Sequence, residues 1–429
     1  MLKATPVFKI LIAVITITTT ASLSYFTGRN HGRYWSLHHE KGDGLSDLTN
    51  FNKLLQAKQI NPQQKTEKKM PSVFKQPTQY IGLDFDQKVP PCSCPLDSDT
   101  WKFDCGLYDP QISFDLAPFH GFNFTAPFFD TAFDMNTANL PPTYHFSIKD
   151  KVITMKGRQP YSAYHQQMLN MFDTANKMIG LPNVEFVMHL WDHTKVPRQD
   201  PVPTFTGTCK TTSSNDILLP YSYTWNKELD VEWHDKNCPK FSERTDKLFW
   251  RGGCTGPTIG FYKHVKPFYL RNRISLLSDQ HPDLLDAGLT SDCTEGEPKI
   301  QSRSFVGEKD FCKYKYLLLL DGNTVSGRSQ NLFRSGSVIF KPESPFYEHY
   351  YVGLKPYVHY IPVKEHLQDL VEQVRWANNN PDKVNEIAHN AKEFAKNHLN
   401  RKSVSCYIWR LLTRYAEQMA FTPRLLDPL

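Results

Sequence analysis

The stretch YKYLLLLDGNTVSGRSQNLFRSGSVIFK, Tyr314 to Lys341, decides the fold. Its apolar run, Tyr316 to Leu320, predicts a buried strand that ends at Asp321-Gly322. A short loop follows, then a helix near Ser329 to Phe333, a turn at Gly336 and a second strand from Val338 to Lys341. Strand, helix and strand over this length make a βαβ unit of a parallel sheet. In such sheets ligands bind beyond the carboxyl ends of the strands, beside helix N-termini. Thr324, Ser326, Gly327 and Arg328 stand at that place. Backbone N–H groups, a hydroxyl and a guanidinium there suit a nucleotide diphosphate.

Upstream, FWRGGCTG (Phe249 to Gly256) reads as another strand end, and LKPYVHYIP (Leu354 to Pro362) follows downstream. These blocks, with CKYKYLLLLDG and SGRSQNLFRSGSVIF, keep the order and spacing of the CAP10-like, or protein O-glucosyltransferase-like, glycosyltransferases (the family 90 type), which the chain resembles. The match is continuous from about Val184 to about Ala420 and weaker from Cys92 to Gly180. The resemblance implies two Rossmann-like domains facing a cleft, the GT-B type. It also implies an inverting enzyme that uses UDP-glucose or UDP-xylose.

Carried over by motif, the catalytic base is Asp192, in the strand-end context Asp192-His193-Thr194-Lys195-Val196-Pro197. By position alone, capping the next turn is the commoner role for such an Asp, and only the family motif tips the reading to a base. Inverting transfer needs one base to take the acceptor proton and a means of stabilising the departing UDP. Arg251 and Arg328, with N–H groups of Gly252, Gly253, Ser326 and Gly327, are the expected donor contacts. His193 and His359 are possible helpers. Each arginine has an alternative as an ion-pair partner, and each histidine as a packed side chain.

Length and composition fit an enzyme of two domains. Apolar residues make up 40% of the 429 and aromatic residues 13%, enough for a large core. The net charge of +6, from 50 basic and 44 acidic residues, is mild. It does not suggest a nucleic-acid binder, which would concentrate basic charge on one face.

The N-terminus reads as a membrane signal. Ile10 to Phe26 carries no charge, with Lys3 and Lys9 before it and Arg29 and Arg33 after it. It is either a signal peptide removed near Ser22 or Ser24 or an uncleaved anchor, and its length favours the anchor. The expected organisation is a cytosolic tail (1–9), an anchor (10–26), a flexible polar stem (27–78), an acceptor domain (79–245), a UDP-sugar domain (246–400) and a C-terminal helix that crosses back (401–429). That describes a type II protein of the Golgi or endoplasmic reticulum.

Nine cysteines, none in paired CxxC knuckles, argue for disulfides in an oxidising lumen and against zinc. The resemblance implies that Cys92-Ser93-Cys94 ties the N-terminal segment down, with Cys105 and Cys406 as partners and the pairing within that set open. The family's partner for Cys312 falls at Ser335, so Cys312 must pair elsewhere or stay free. Asn123-Phe124-Thr125 is a glycosylation sequon. Asp84-Phe85-Asp86 and Asp97-Ser98-Asp99 resemble metal-binding DxD triplets but read as loop carboxylates, so no metal and no cofactor beyond the UDP-sugar is expected.

Outside these motifs, Pro and Phe from Phe114 to Phe133 suggest an irregular aromatic wrap. Helices are expected at Ala163 to Met178, Glu365 to Ala377, Asn380 to Leu399 and Cys406 to Met419, and a strand at Val184 to Trp191. The acceptor is open between a protein and a glycan hydroxyl, because Tyr223 to Lys247 departs from the protein O-glucosyltransferase pattern. Two other readings stand: a silent sugar-binding or scaffold relative, and a metal-dependent polysaccharide synthase.

Overall fold

Tyr314 to Lys341 does fold as strand, loop, helix and strand. In a computed structural model, the structure describes residues 93–427 apart from 122–123, 140–142, 158–162, 191–202, 212–213, 223–224, 226–229, 257, 260–267 and 293–299. In chain order the strands are β1 (Thr143–Lys149), β2 (Val152–Gly157), β3 (Val184–His189), β4 (Thr204–Thr206), β5 (Ile217–Leu218), β6 (Thr245–Gly252), β7 (Thr258–Ile259), β8 (Phe268–Tyr269), β9 (Leu285–Leu289), β10 (Tyr314–Leu318), β11 (Val338–Pro342) and β12 (Ile361–Val363). The helices are α1 (Cys105–Leu116), α2 (Ala126–Asn139), α3 (Ala163–Ile179), α4 (Val231–Asn237), α5 (Leu270–Gln280), α6 (Ser329–Arg334), α7 (Leu370–Asn378), α8 (Pro381–His398) and α9 (Arg401–Ala416).

Two five-stranded sheets give an α/β fold. The first has the order β2-β1-β3-β4-β5, antiparallel at β1 and parallel from β3 onward. The second has the order β12-β11-β10-β6-β9 and is parallel throughout. Counted along the chain, that is a 2-1-3-4-5 sheet read from its other edge, so the strand order reverses between β6 and β10. A doubly wound sheet opens its ligand crevice at this reversal.

The second sheet is apolar on both faces, as a covered parallel sheet must be. Alternation along each strand divides the residues. Leu248, Trp250, Tyr316, Leu318 and Phe340 join a core with Ile274 of α5, Val374 of α7 and Ile387 of α8. Phe249, Leu317, Leu319 and Ile339 face the other way, into a core shared with Phe146, Phe186 and Phe205 of the first sheet. The C-terminal helix α9 closes onto that first sheet. Tyr407 Oη donates to Leu218 O at 2.9 Å, and the Tyr415 ring stands edge-on to Phe205.

The structure corrects three expectations. Phe114 to Phe133 is not an irregular wrap: it holds the end of α1, a 3-10 turn at Ala117–Phe119 and the start of α2. Pro118 and Pro127 sit in first turns, where a missing N–H costs nothing. The helix expected from Glu365 is broken, because His366 and Leu367 adopt positive φ (61° and 62°), and α7 starts only at Leu370. The strand expected at Tyr316 to Leu320 is β10, two residues earlier, although Leu319 still donates to Phe340 O at 2.9 Å.

Two disulfides are fixed. Cys94 pairs with Cys406 and Cys238 with Cys312, so Cys312 does find a partner. Cys105 and Cys254 are also disulfide-bonded, and Cys209 is a buried thiol. Among the described residues no helix is long and apolar enough to cross a membrane. The expected anchor and stem, Asp84 and Asp86, Cys92, Asn123, and Asp192 with His193 lie outside the described residues.

Candidate donor site

The reversal point brings together the two loops singled out in the sequence. β6 ends at Gly252 and passes into Gly253 to Gly256; β10 runs on into Asp321-Gly322. The loops touch backbone to backbone. Gly256 has φ +110°, and a Cβ there would lie 2.9 Å from Gly322 O. Only glycine meets both conditions cheaply. Gly252 is constrained differently, since a Cβ would meet the Trp250 ring at 2.6 Å.

Arg271, in the first turn of α5, staples these loops. Its Nε donates to Asp321 O at 3.0 Å, and its Nη1 donates to Gly253 O at 2.8 Å and Thr255 Oγ1 at 2.7 Å. The guanidinium lies 5.4 Å from the Trp250 ring and the residue is 7% exposed. Burial, and next the charge of Arg328, lower its pKa to about 10, so it remains a cation at neutral pH. Sequence reasoning missed it, because an arginine in an amphipathic helix looks like a surface residue.

Arg328 approaches from the other loop. Its Nη1 donates to Arg251 O at 2.7 Å, and its guanidinium stacks 5.3 Å from the Phe311 ring. It thus spans β6 and the SGR loop, beside Arg271. Arg251 is turned inward. Its Nη2 pairs with Asp286 Oδ1 at 2.6 Å, and Nη1 donates to the carbonyls of Trp250 and Asp286. Burial would raise the Asp286 carboxyl, but hydrogen bonds from Tyr314 and Arg251 outweigh it and hold the pKa below its ordinary value. The Arg251 side chain therefore serves an internal ion pair, while its carbonyl holds Arg328.

In the SGR loop, Thr324 and Ser326 are 5% and 6% exposed. The Thr324 hydroxyl and Val325 N–H reach the Cys209 sulfur, and the Ser326 N–H reaches the Asp321 carboxylate. Gly327 and Arg328 are the half-buried members that line the crevice. α6 has only six residues, so its dipole contributes little here, unlike the helix start expected from sequence. The guanidiniums supply the positive charge.

Beneath the loop lies a buried polar group that no motif announced. Ser344 Oγ donates to Asp321 Oδ2, Lys341 is 8% exposed nearby, and Glu348 is wholly buried. His359 does not join the crevice. It precedes β12, at the amino end of the sheet, where its Nδ1 accepts from Lys355 N at 3.1 Å and its ring packs on Phe394. Burial lowers its pKa to about 4. In the first sheet β3 ends in a buried pair, His189 Nε2 to Asp216 Oδ1 at 2.7 Å. Asp97 of the second DxD triplet caps its own loop, accepting from Cys94 N and Phe103 N. Among the described residues no group of three or more His, Cys, Asp or Glu side chains is placed to hold a metal.

Residues 101–427, about three quarters of the chain, match the family described as glycosyl transferase family 90. The chain belongs to this family. Among curated relatives, protein O-glucosyltransferase 3 of Homo sapiens is 28% identical over 364 residues, covering 78% of this chain and 67% of that protein. Protein O-glucosyltransferase 3 of Mus musculus is 32% identical over 301 residues, covering 66% and 57%. Protein O-glucosyltransferase 1 of Homo sapiens is 29% identical over 272 residues, covering 57% and 65%. The chain thus spans between 57% and 67% of the length of these relatives. The family 90 match encloses both sheets and both loops of the crevice.

Proposed function

We propose that this family 90 chain transfers glucose or xylose from a UDP-sugar to a hydroxyl of a protein or glycan acceptor, with inversion. The observation that carries the reading is the convergence of Arg271 and Arg328 at the strand-order reversal between β6 and β10. Two cations beside glycine-lined loops at the carboxyl ends of parallel strands suit a diphosphate. The names of the protein O-glucosyltransferase relatives support a sugar donor and, among the two acceptor classes, a protein.

In the proposed step, Asp192 takes the proton of the acceptor hydroxyl. The freed oxygen pair attacks the anomeric carbon from the face opposite UDP, and the bond to the β-phosphate oxygen breaks with its electrons. Negative charge grows on the diphosphate, where Arg328 and Arg271 hold it without a metal. Asp192 follows β3 in the sequence and the arginines belong to the second-sheet half, so the proposal has base and donor meet in a GT-B arrangement. The disulfides Cys94–Cys406 and Cys238–Cys312 support an oxidising, secretory address. A type II anchor at 10–26 completes the proposal.

The experiment is a donor screen with the full chain, measuring release of UDP from UDP-glucose, UDP-xylose and other UDP-sugars, with and without EDTA and acceptor. Turnover of UDP-glucose or UDP-xylose, unaffected by EDTA, is expected. Turnover abolished by EDTA would favour a metal-dependent synthase; UDP-sugar binding without turnover would favour a silent relative.

A further inference from the structure

Glu348 belongs to no motif, yet it contacts the segment that carries the SGR loop. Ser329 Oγ donates to Glu348 Oε1, and Gln330 Nε2 lies 3.5 Å from Oε2 and 3.3 Å from Tyr221 O. Ser329 and Gln330 directly follow Arg328. One residue before Glu348, Tyr347 exchanges both backbone hydrogen bonds with Lys210, at 3.1 and 2.9 Å. Lys210 lies just past β4 in the first sheet, and its ammonium is paired with the buried Asp115 of α1. The Tyr347-Glu348 dipeptide is therefore bonded to the first-sheet half by its backbone and to the start of α6 by its side chain.

We propose that Glu348 is a positioning residue for the donor site, holding Ser329 and Gln330 from behind so that Gly327 and Arg328 stay registered against the loop after β6. The inference rests on the reading that this loop grips the diphosphate. The loop has other ties, since Thr324 and Val325 reach Cys209, Ser326 N–H reaches Asp321 and Arg328 donates to Arg251 O; Glu348 adds a bond to the first residues of the short α6. A side chain reaching α6 from a strap tied to the other sheet would set the crevice width, and misplacement by about 1 Å can cost two orders of magnitude in rate.

The charge state agrees with a support role. Burial pushes the Glu348 carboxyl up to about 8; Ser329 and Gln330 pull it down, Asp321 pushes it up and Lys341 pulls it down. Arg334 of α6 and the phenols of Tyr350 and Tyr351 also face it. Below pH 8 the group is mainly a neutral acid, which glutamine imitates; above it, a carboxylate must form beside Asp321.

The test compares Glu348→Ala, Glu348→Gln and Arg328→Ala in the full chain, using UDP as the calorimetric probe between pH 6.5 and 9. Glu348→Ala should weaken UDP binding by about tenfold or more. Wild type should bind UDP more weakly above pH 8, whereas Glu348→Gln should stay within about twofold of wild type at pH 7 and show no such alkaline weakening. Folded Glu348→Ala that binds UDP normally, while Arg328→Ala does not, overturns the positioning role alone. If Arg328→Ala also binds normally, the donor-site reading falls and takes the proposal with it. Should Glu348→Ala fail to fold, the glutamine variant decides: an alkaline decline identical to wild type refutes the role, and a flat profile supports it.

Discussion

Replacing Arg271 by alanine tests whether the two loops of the crevice are stapled by one guanidinium. The variant removes three hydrogen bonds, but the acceptors do not suffer equally. Gly253 O keeps the Thr255 N–H at 3.0 Å, and the Thr255 hydroxyl can rotate. The Asp321 carbonyl loses its guanidinium donor at 3.0 Å. One orphaned buried acceptor costs about 1–3 kcal/mol, and the lost stacking on Trp250 adds about 1 kcal/mol at a desolvated site. A destabilisation of about 2–4 kcal/mol is expected in denaturant unfolding. The loops should also separate, so UDP should bind at least tenfold more weakly, a further ~1.4 kcal/mol in calorimetry. Arg271→Lys keeps the charge but cannot fork to three acceptors in one plane, so it should recover some UDP affinity and little stability. Unfolding within about 0.5 kcal/mol of wild type, together with unchanged UDP affinity in Arg271→Ala, would refute the staple.

Two further outcomes are expected. Asp192→Asn should leave UDP affinity intact and lower transfer by about 10²–10⁴-fold in steady-state assays, the usual share of a general base; transfer near the wild-type rate would remove Asp192 from the chemistry. Glu185, wholly buried, is raised by burial but lowered more by His145 and Arg424, so its folded pKa lies below the ordinary value. Its contribution is therefore complete above pH ~5 and lost as pH falls through the folded pKa. Acid unfolding of Glu185→Gln should be shallower than that of wild type, and identical acid limbs would contradict the assignment.

The elements that sequence disclosed were those whose local pattern agrees with their environment. The LLLL run and VIF (Val338 to Phe340) are buried on both sides and are apolar without interruption, so β10 and β11 and their intervening glycines could be read directly. Glycine alone fits the contact of Gly256 with Gly322, which makes the TG of the RGGCTG block informative. The strand order was not legible. β9, LDAGL, carries Asp286 as its second residue and looks like a turn until Arg251 and Tyr314 are seen to satisfy that carboxylate. Without β9 the reversal between β6 and β10 is invisible.

The supporting polar residues escaped for a related reason. Arg271, Asp321, Lys341 and Glu348 are charged residues that sequence logic sends to the surface, and only tertiary partners allow their burial. Glu348 stands in an aromatic run, PFYEHYY, whose apolar neighbours drag it inward. Arg251 shows the opposite case, an exposed-looking strand end whose side chain turns inward. Its place at a strand end suggested ligand contact, whereas its side chain meets Asp286 and only its carbonyl reaches the crevice, through Arg328. The prolines near Phe114 to Phe133 hid α1 and α2. Pro110 lies within α1, where it removes one helical bond without ending the helix.

The central claim, a diphosphate held where the strand order reverses, is tested most directly by titrating the full chain with UDP in wild-type and Arg328→Ala forms. A charged hydrogen-bonding contact at a water-poor site contributes about 1.5–3 kcal/mol. Wild type should bind UDP, and Arg328→Ala should bind about 10- to 100-fold more weakly while unfolding at a similar denaturant concentration. Equal UDP affinity in the two proteins, or no binding by wild type, would contradict it.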